Sequence, residues 1–189
     1  GCNHKTGKDG LFMTKKKRFV QVGTGGRSRF FYEALAQRYS DTSELVAFCD
    51  INPIRLEYAQ KTLTEEYGYP KVNLYGADEF EKMIEVEKPD CVIVTSIDRT
   101  HHKYIIKAME MGCDVITEKP MATSIADAKK MVETAKKMKL SLSVDHMMTN
   151  NIYNIKARKT VAAGKLGTIN DACFHMEFAF GYDPAEAAS

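Results

Sequence analysis

The chain has 189 residues, of which 44% are apolar and 28% charged, and its formal net charge is +2. That length holds one ordinary domain plus part of another, and the balance is that of a globular chain. The small charge gives no case for a nucleic-acid binder, and no apolar run approaches the roughly 20 residues of a membrane span.

Residues 1–17 read as a flexible, polar N-terminal tail. The run Lys15–Arg18 (KKKR) is its densest basic stretch and reads as a solvated strand entry. Five cysteines stand at Cys2, Cys49, Cys91, Cys113 and Cys173, an odd and widely spaced set without a Cys-x-x-Cys pair. Cys49 and Cys91 fall in apolar runs, where cysteine acts as a small hydrophobe. A reducing, cytoplasmic setting is expected; a lipid-anchored or exported protein is the alternative if Cys2 is a processed lipoprotein cysteine.

From residue 18 apolar runs and helical periodicities alternate. FVQV predicts a strand, and RSRFFYEALAQRY a helix with Phe30, Phe31, Ala34 and Leu35 at helical offsets. LVAFCD (45–50) predicts a second strand. Asn52 and Pro53 mark a helix start, Leu56, Ala59, Leu63 and Tyr67 repeat at helical spacing, and Gly68 stops the run. VNLYG is a weak strand, and DEFEKMIEVEK a helix ended by Pro89. DCVIVTS is the strongest strand of the chain, HHKYIIKAMEM a helix stopped by Gly112, and DVITEK a further strand. A long amphipathic helix follows an N-cap at Thr123 or Ser124, and LSLSV closes the series.

Strands alternating with helices through short turns make parallel βαβ units, and the unbroken apolar character of the central runs means that both sheet faces are covered. The fold class read from this is α/β, a Rossmann-type doubly wound parallel sheet over residues 18–148. Residues 149–189 read as the beginning of a second, α+β domain, in which INDACFHMEFAF alternates Ala172, Phe174, Met176, Phe178 and Phe180 on one apolar face. Such a face needs cover, so a homo-oligomer through that sheet is expected.

Gly23 and Gly25 lie between a strand and a helix, the place where bare amides meet a phosphate. Ser28 replaces the third glycine of Gly-x-Gly-x-x-Gly; it is small enough for helix-on-strand packing, and its hydroxyl is a candidate phosphate donor. Asp50 ends the second strand 25 residues after Gly25, about where an acid accepts from the adenosine ribose hydroxyls. Its charge favours NAD over NADP, while Arg27 and Arg55 keep a 2′-phosphate partner open. The competing reading is an ordinary βα turn with Asp50 capping the next helix. Glu118-Lys119-Pro120 puts two opposite charges at a strand's carboxyl end, suited either to a surface ion pair or to a lysine donating to a substrate oxygen.

These residues together resemble the glucose–fructose oxidoreductase / inositol dehydrogenase (Gfo/Idh/MocA) family over roughly residues 18–170. The resemblance rests on VGTGG (22–26), CD (49–50), TSIDRTHH (95–102), MGCDVITEKPMA (111–122) and AAGKLGTI (162–169). It implies a two-domain enzyme that uses NAD or NADP on hydroxyls of sugars, polyols and related compounds. It places Gly23, Thr24, Gly25, Gly26, Arg27 and Ser28 at the diphosphate and Asp50 at the ribose. Thr95, Ser96, Asp98 and His101 then line the cofactor, Glu118 lies near the nicotinamide ribose, and Lys119 touches both nicotinamide and substrate as the catalytic residue. His146, after LSLSV, is a candidate substrate contact, and no metal is expected. The family's Thr-Pro-Asn is here Ser96-Ile97-Asp98, its Asn-Tyr-Arg-Tyr-like segment is MMTNN (147–151), and its catalytic histidine belongs to a segment that Ser189 precedes. A nicotinamide-binding module without catalysis is therefore the rival reading.

Overall fold

The computed structural model describes residues 15–146, 149 and 151–171. Contacts divide the chain into two compact units, residues 1–146 and 147–189.

The first unit is a sheet of six strands: β1 (Lys17–Val22), β2 (Ser43–Asp50), β3 (Asn73–Gly76), β4 (Cys91–Val94), β5 (Asp114–Glu118) and β6 (Leu142–Asp145). Their order across the sheet is β3-β2-β1-β4-β5-β6, and every neighbouring pair is parallel. The helices between them are α1 (Arg29–Ala36), α2 (Pro53–Glu65), α3 (Phe80–Glu87), α4 (His101–Glu110) and α5 (Ile125–Met138). The chain winds outward from β1 to β3, then returns to β4 on the other side of β1. The carboxyl ends of β1 and β4 thus form the switch point where doubly wound sheets open a crevice.

The period-2 alternation of the central strands sends their side chains into two separate cores. Phe19, Cys91 and Ile93 pack with Phe31, Tyr32 and Leu35 of α1 and Leu56 and Leu63 of α2. Val20, Val22, Val92 and Val94 pack with residues of α3, α4 and α5, among them Met83, Ile105, Met109 and Met131. Covering on both faces is why these strands read as unbroken apolar runs. The outer strands β3 and β6 carry half-exposed and exposed residues instead.

Helix starts follow local chemistry. Asn52 caps α2 by accepting from the Ile54 and Arg55 amides, with Pro53 at the first helical position. Of the two candidate caps for α5 it is Ser124 that acts: its hydroxyl oxygen accepts from the Asp127 amide 3.1 Å away and donates to the Asp127 carboxylate at 2.7 Å. Helix α1 is shorter than its periodicity suggests, ending at Ala36, and Phe30 stands exposed rather than in the core.

In the second unit, Asn151 caps a helix α6 (Ile152–Ala162), whose residues are exposed or half-buried. The strand read over residues 172–180, the sheet contact between copies inferred from it, His175, and Met147, Met148 and Asn150 of MMTNN lie outside the described residues. Among the described residues no helix is long and apolar enough to cross a membrane.

Candidate functional site

A cavity of about 400 Å³ opens at the switch point, lined by Gly23, Gly25, Gly26 and Arg27 of the β1–α1 turn, Asp50 at the end of β2 with Ile51 and Arg55 beyond it, and Thr95, Ser96, Ile97, Arg99, Thr100 and Tyr104 after β4. The turn is stitched to the strands on either side. The Gly23 amide donates to the Cys49 carbonyl at 2.8 Å, and the Thr95 hydroxyl donates to the Gly23 carbonyl at 2.6 Å.

Gly23 has φ +88°, and a Cβ there would lie 2.5 Å from the Ser96 nitrogen, so conformation and packing both require glycine. Gly25 and Gly26 differ. A Cβ at either would meet nothing within 4 Å, and neither has a left-handed φ. The fold itself therefore does not require glycine at these two places. Their amides donate to no protein group among the described residues, and they face the cavity at the start of α1. Bare amides, open space and a helix N-terminus together fit a diphosphate.

Asp50 is 7% exposed and holds the turn's other flank. One carboxylate oxygen accepts from the Thr24 amide at 2.6 Å and the Thr24 hydroxyl at 3.0 Å; the other accepts from the Asn52 amide at 2.8 Å. Asp50 does not cap α2, a task that falls to Asn52. Ser28 is buried, and its hydroxyl donates to the Gly25 carbonyl. The phosphate-donor role considered for that hydroxyl is thus corrected: it closes the turn from within.

A second group sits at the carboxyl end of β5. Glu118 is buried, and its Oε1 accepts from Arg27 Nε at 3.0 Å and Nη2 at 2.7 Å. Its Oε2 accepts from the Lys119 amide at 2.9 Å. The opposite charges of Glu118 and Lys119 therefore do not form a surface pair; the carboxylate turns inward to Arg27. Arg27 is correspondingly drawn toward β5, so of the two arginines considered for a 2′-phosphate, Arg55 is the one that shares Asp50's part of the cavity wall.

His101 is fully buried, with Nδ1 2.9 Å from the Pro120 carbonyl oxygen and Nε2 2.9 Å from the Ser96 carbonyl oxygen. It does not line the cavity; it braces the β4–α4 loop against the segment after β5. Asp98, Lys119 and His146 are exposed and also stand outside the cavity wall. Among the described residues no three His, Cys, Asp or Glu side chains converge on a metal position.

Sequence reasoning missed Gln21, which is fully buried in β1 and donates through Nε2 to the Ser28 carbonyl at 3.0 Å and to Thr95 Oγ1 at 3.1 Å. The signal was there: one polar residue inside the apolar run FVQV. It also missed Ile51, Ile97, Arg99, Thr100 and Tyr104. Ile51 is 83% exposed and Ile97 55%, and apolar residues in the loops that follow two strand ends were the available clue.

Comparison with known proteins agrees with this fold. Residues 17–146 match the family described as "Oxidoreductase family, NAD-binding Rossmann fold" (GFO_IDH_MocA). D-glucoside 3-dehydrogenase of Escherichia coli is 37% identical over 126 residues, covering 67% of this chain and 34% of that protein. An alpha-N-acetylgalactosaminidase of Bacteroides fragilis is 30% identical over 169 residues, 88% of this chain and 38% of that protein. The WlbA dehydrogenase of Chromobacterium violaceum, solved with NADH and UDP-GlcNAcA, superimposes with a TM-score of 0.68 at 30% identity, over 82% of this chain and 42% of that one. The chain thus spans little more than a third of the length of the curated relatives it matches. It belongs to the Gfo/Idh/MocA oxidoreductase family and carries that family's NAD-binding Rossmann domain.

Proposed function

We propose that this chain is the cofactor half of a nicotinamide-dependent oxidoreductase that moves a hydride to or from a hydroxyl or carbonyl carbon of a sugar- or polyol-like substrate. The observation that carries the reading is the pair Gly25 and Gly26: the fold does not need glycine there, yet both are bare amides over an open cavity. In this reading Gly25 and Gly26 hold the diphosphate, shaped by Gly23, Thr24 and Ser28. An ionised carboxylate has about four acceptor positions, three of which Asp50 gives to the protein, which leaves one for a ribose hydroxyl. Its negative charge favours NAD over NADP. Thr95 and Ser96 form the opposite wall. When bound, the nicotinamide supplies the hydride chemistry. Lys119 Nζ donates a hydrogen bond to the reacting substrate oxygen, with Glu118 fixing the lysine's backbone. The substrate class draws support from the relatives that act on a glucoside or are solved with a sugar nucleotide.

The test is an NADH fluorescence titration of the wild-type chain and Gly25→Ala. The substitution is expected to leave the melting temperature in place and to weaken NADH binding at least tenfold, about 1.4 kcal/mol. Unchanged binding would remove the turn as the nucleotide site. Turnover is then sought with polyols and glycosides on the full-length protein; tight binding without turnover of any of them favours the non-catalytic module.

The glycosidase relative favours a second reading, in which the substrate is a glycoside that is cleaved. Release of free sugar without net accumulation of NADH would mark it.

A further inference from the structure

We propose that Arg27 is a positioning residue that couples the diphosphate turn to Lys119 through Glu118; the inference rests on the nucleotide reading of the turn given above. Arg27 belongs to the turn, directly after the bare amides of Gly25 and Gly26, and lines the same cavity. Its guanidinium nevertheless reaches a strand end 91 residues away in sequence, with two nitrogens on one oxygen of Glu118. The other oxygen of that carboxylate receives the Lys119 amide.

The unequal burial of Arg27 and Glu118 gives the chain of contacts a direction. The Arg27 side chain is 56% exposed and the Glu118 side chain 6%. A carboxylate this buried takes its position from whatever neutralises it. Arg27, by contrast, has one side in the cavity and responds to an anion placed there. A diphosphate at the turn draws on the same guanidinium, and any shift of the guanidinium is passed to Glu118 and from Glu118 to the Lys119 backbone. His101 fixes the far side of the same segment through the Pro120 carbonyl, so the lysine is the element left to move between a fixed brace and a variable one. Arg27 itself need touch no substrate.

The experiment is site-resolved amide hydrogen exchange at Lys119 in the full chain, without and with saturating NADH, for wild type, Arg27→Met, Arg27→Lys and Glu118→Gln. NADH affinity and melting temperature are followed in parallel. Without nucleotide, Arg27→Met is expected to speed exchange at Lys119 on the order of tenfold, as loss of a charge-assisted anchor implies. In wild type, NADH is expected to change that exchange rate. In Arg27→Met and Glu118→Gln, NADH still binds but the Lys119 rate no longer responds. Arg27→Lys keeps the charge without the fork and restores part of the response. A purely structural arginine would lower the melting temperature and leave the NADH response intact, which overturns the proposal. Equal Lys119 rates in wild type and both charge-removing variants overturn it as well. Failure of wild type to bind NADH is a different result: it removes the nucleotide reading and the coupling with it, whereas bound NADH without coupling removes this inference alone.

Discussion

The two edges of the sheet use the same device at very different depth. At the amino edge Asp90 and Asp114 lie at the surface and tie strands together: the Asp90 carboxylate accepts from the Arg18 amide at 2.7 Å, and Asp114 from the Ser141 amide at 2.9 Å. At the carboxyl edge Asp50 and Glu118 also accept main-chain amides, those of Thr24 and Lys119, but both are buried beside the cavity or its rim. Water replaces a lost partner readily at the amino edge and less readily at the carboxyl edge. Similar contacts therefore differ several-fold in what their loss costs, and the expensive ones surround the site.

The comparison is broken hardest at Gly23. Gly23→Ala places a Cβ 2.5 Å from the Ser96 nitrogen at φ +88°. The left-handed backbone and the displaced end of β4 together are expected to cost about 4 kcal/mol in urea unfolding. A loss below about 1 kcal/mol would mean that the two strand ends are free to part. Asp50→Ala comes next. It strands the amides of Thr24 and Asn52 in a buried site, for an expected loss of roughly 2–4 kcal/mol. The loosened turn should weaken both nucleotides, NADH more than NADPH, because the ribose acceptor and the repulsion of a 2′-phosphate leave with the carboxylate. Equal losses would make Asp50 a structural residue of the turn alone.

At the other buried acid the arithmetic is different, because a cation is involved. Arg27→Met leaves the buried Glu118 carboxyl without its guanidinium. Loss of a fully buried partner costs about 3–5 kcal/mol, but Arg27 is half-exposed and water reaches the gap, so about 1–2 kcal/mol is expected. Adding Glu118→Gln removes the stranded charge, and the double variant should recover most of the loss in the same unfolding assay. Additive losses would show that the pair is not coupled.

How much of this was legible follows from distance along the chain. The βαβ alternation, the Asn52 cap and the Gly-x-Gly turn are local patterns, and each stands where the sequence suggested. Asp50 was legible as the acid ending β2, yet its commitment to Thr24 was not, since that needs the register that sets Val22 beside Cys49. Arg27 lies in the first turn and Glu118 at the end of β5, and no periodicity reports which way a side chain leans across the crevice; the sequence accordingly left Arg27 as a partner for a 2′-phosphate. His101 was read onto the cofactor because the family resemblance carried by TSIDRTHH implies a histidine there. Its place as the first residue of α4 turns it inward, toward the Ser96 and Pro120 carbonyls.

The mildest effect belongs to the amino edge and is sharpest in its pH dependence. The Ser141 amide first, and then Lys17, whose Nζ lies 2.9 Å from Oδ2, hold the Asp114 carboxyl below its ordinary value of 3.8. A carboxyl depressed on folding binds more protons in the unfolded chain. Its stabilisation is present above pH 3.8 and is lost as the pH falls through the lower, folded value. The hydrogen bond to Asp114 raises Lys17 above 10.5, so the lysine's share is full below that pH and is lost as the pH climbs through its folded value. Both members are partly exposed, which limits the pair to a few tenths of a kcal/mol, about 0.5. Asp114→Asn should therefore lower stability by about that much at pH 7 and converge on wild type as the pH falls below the folded value. Salt at about 1 M should shrink the pH 7 difference, since the Debye length falls to about 3 Å. An Asp114→Asn loss as large as that of Asp50→Ala would erase the distinction between the two edges.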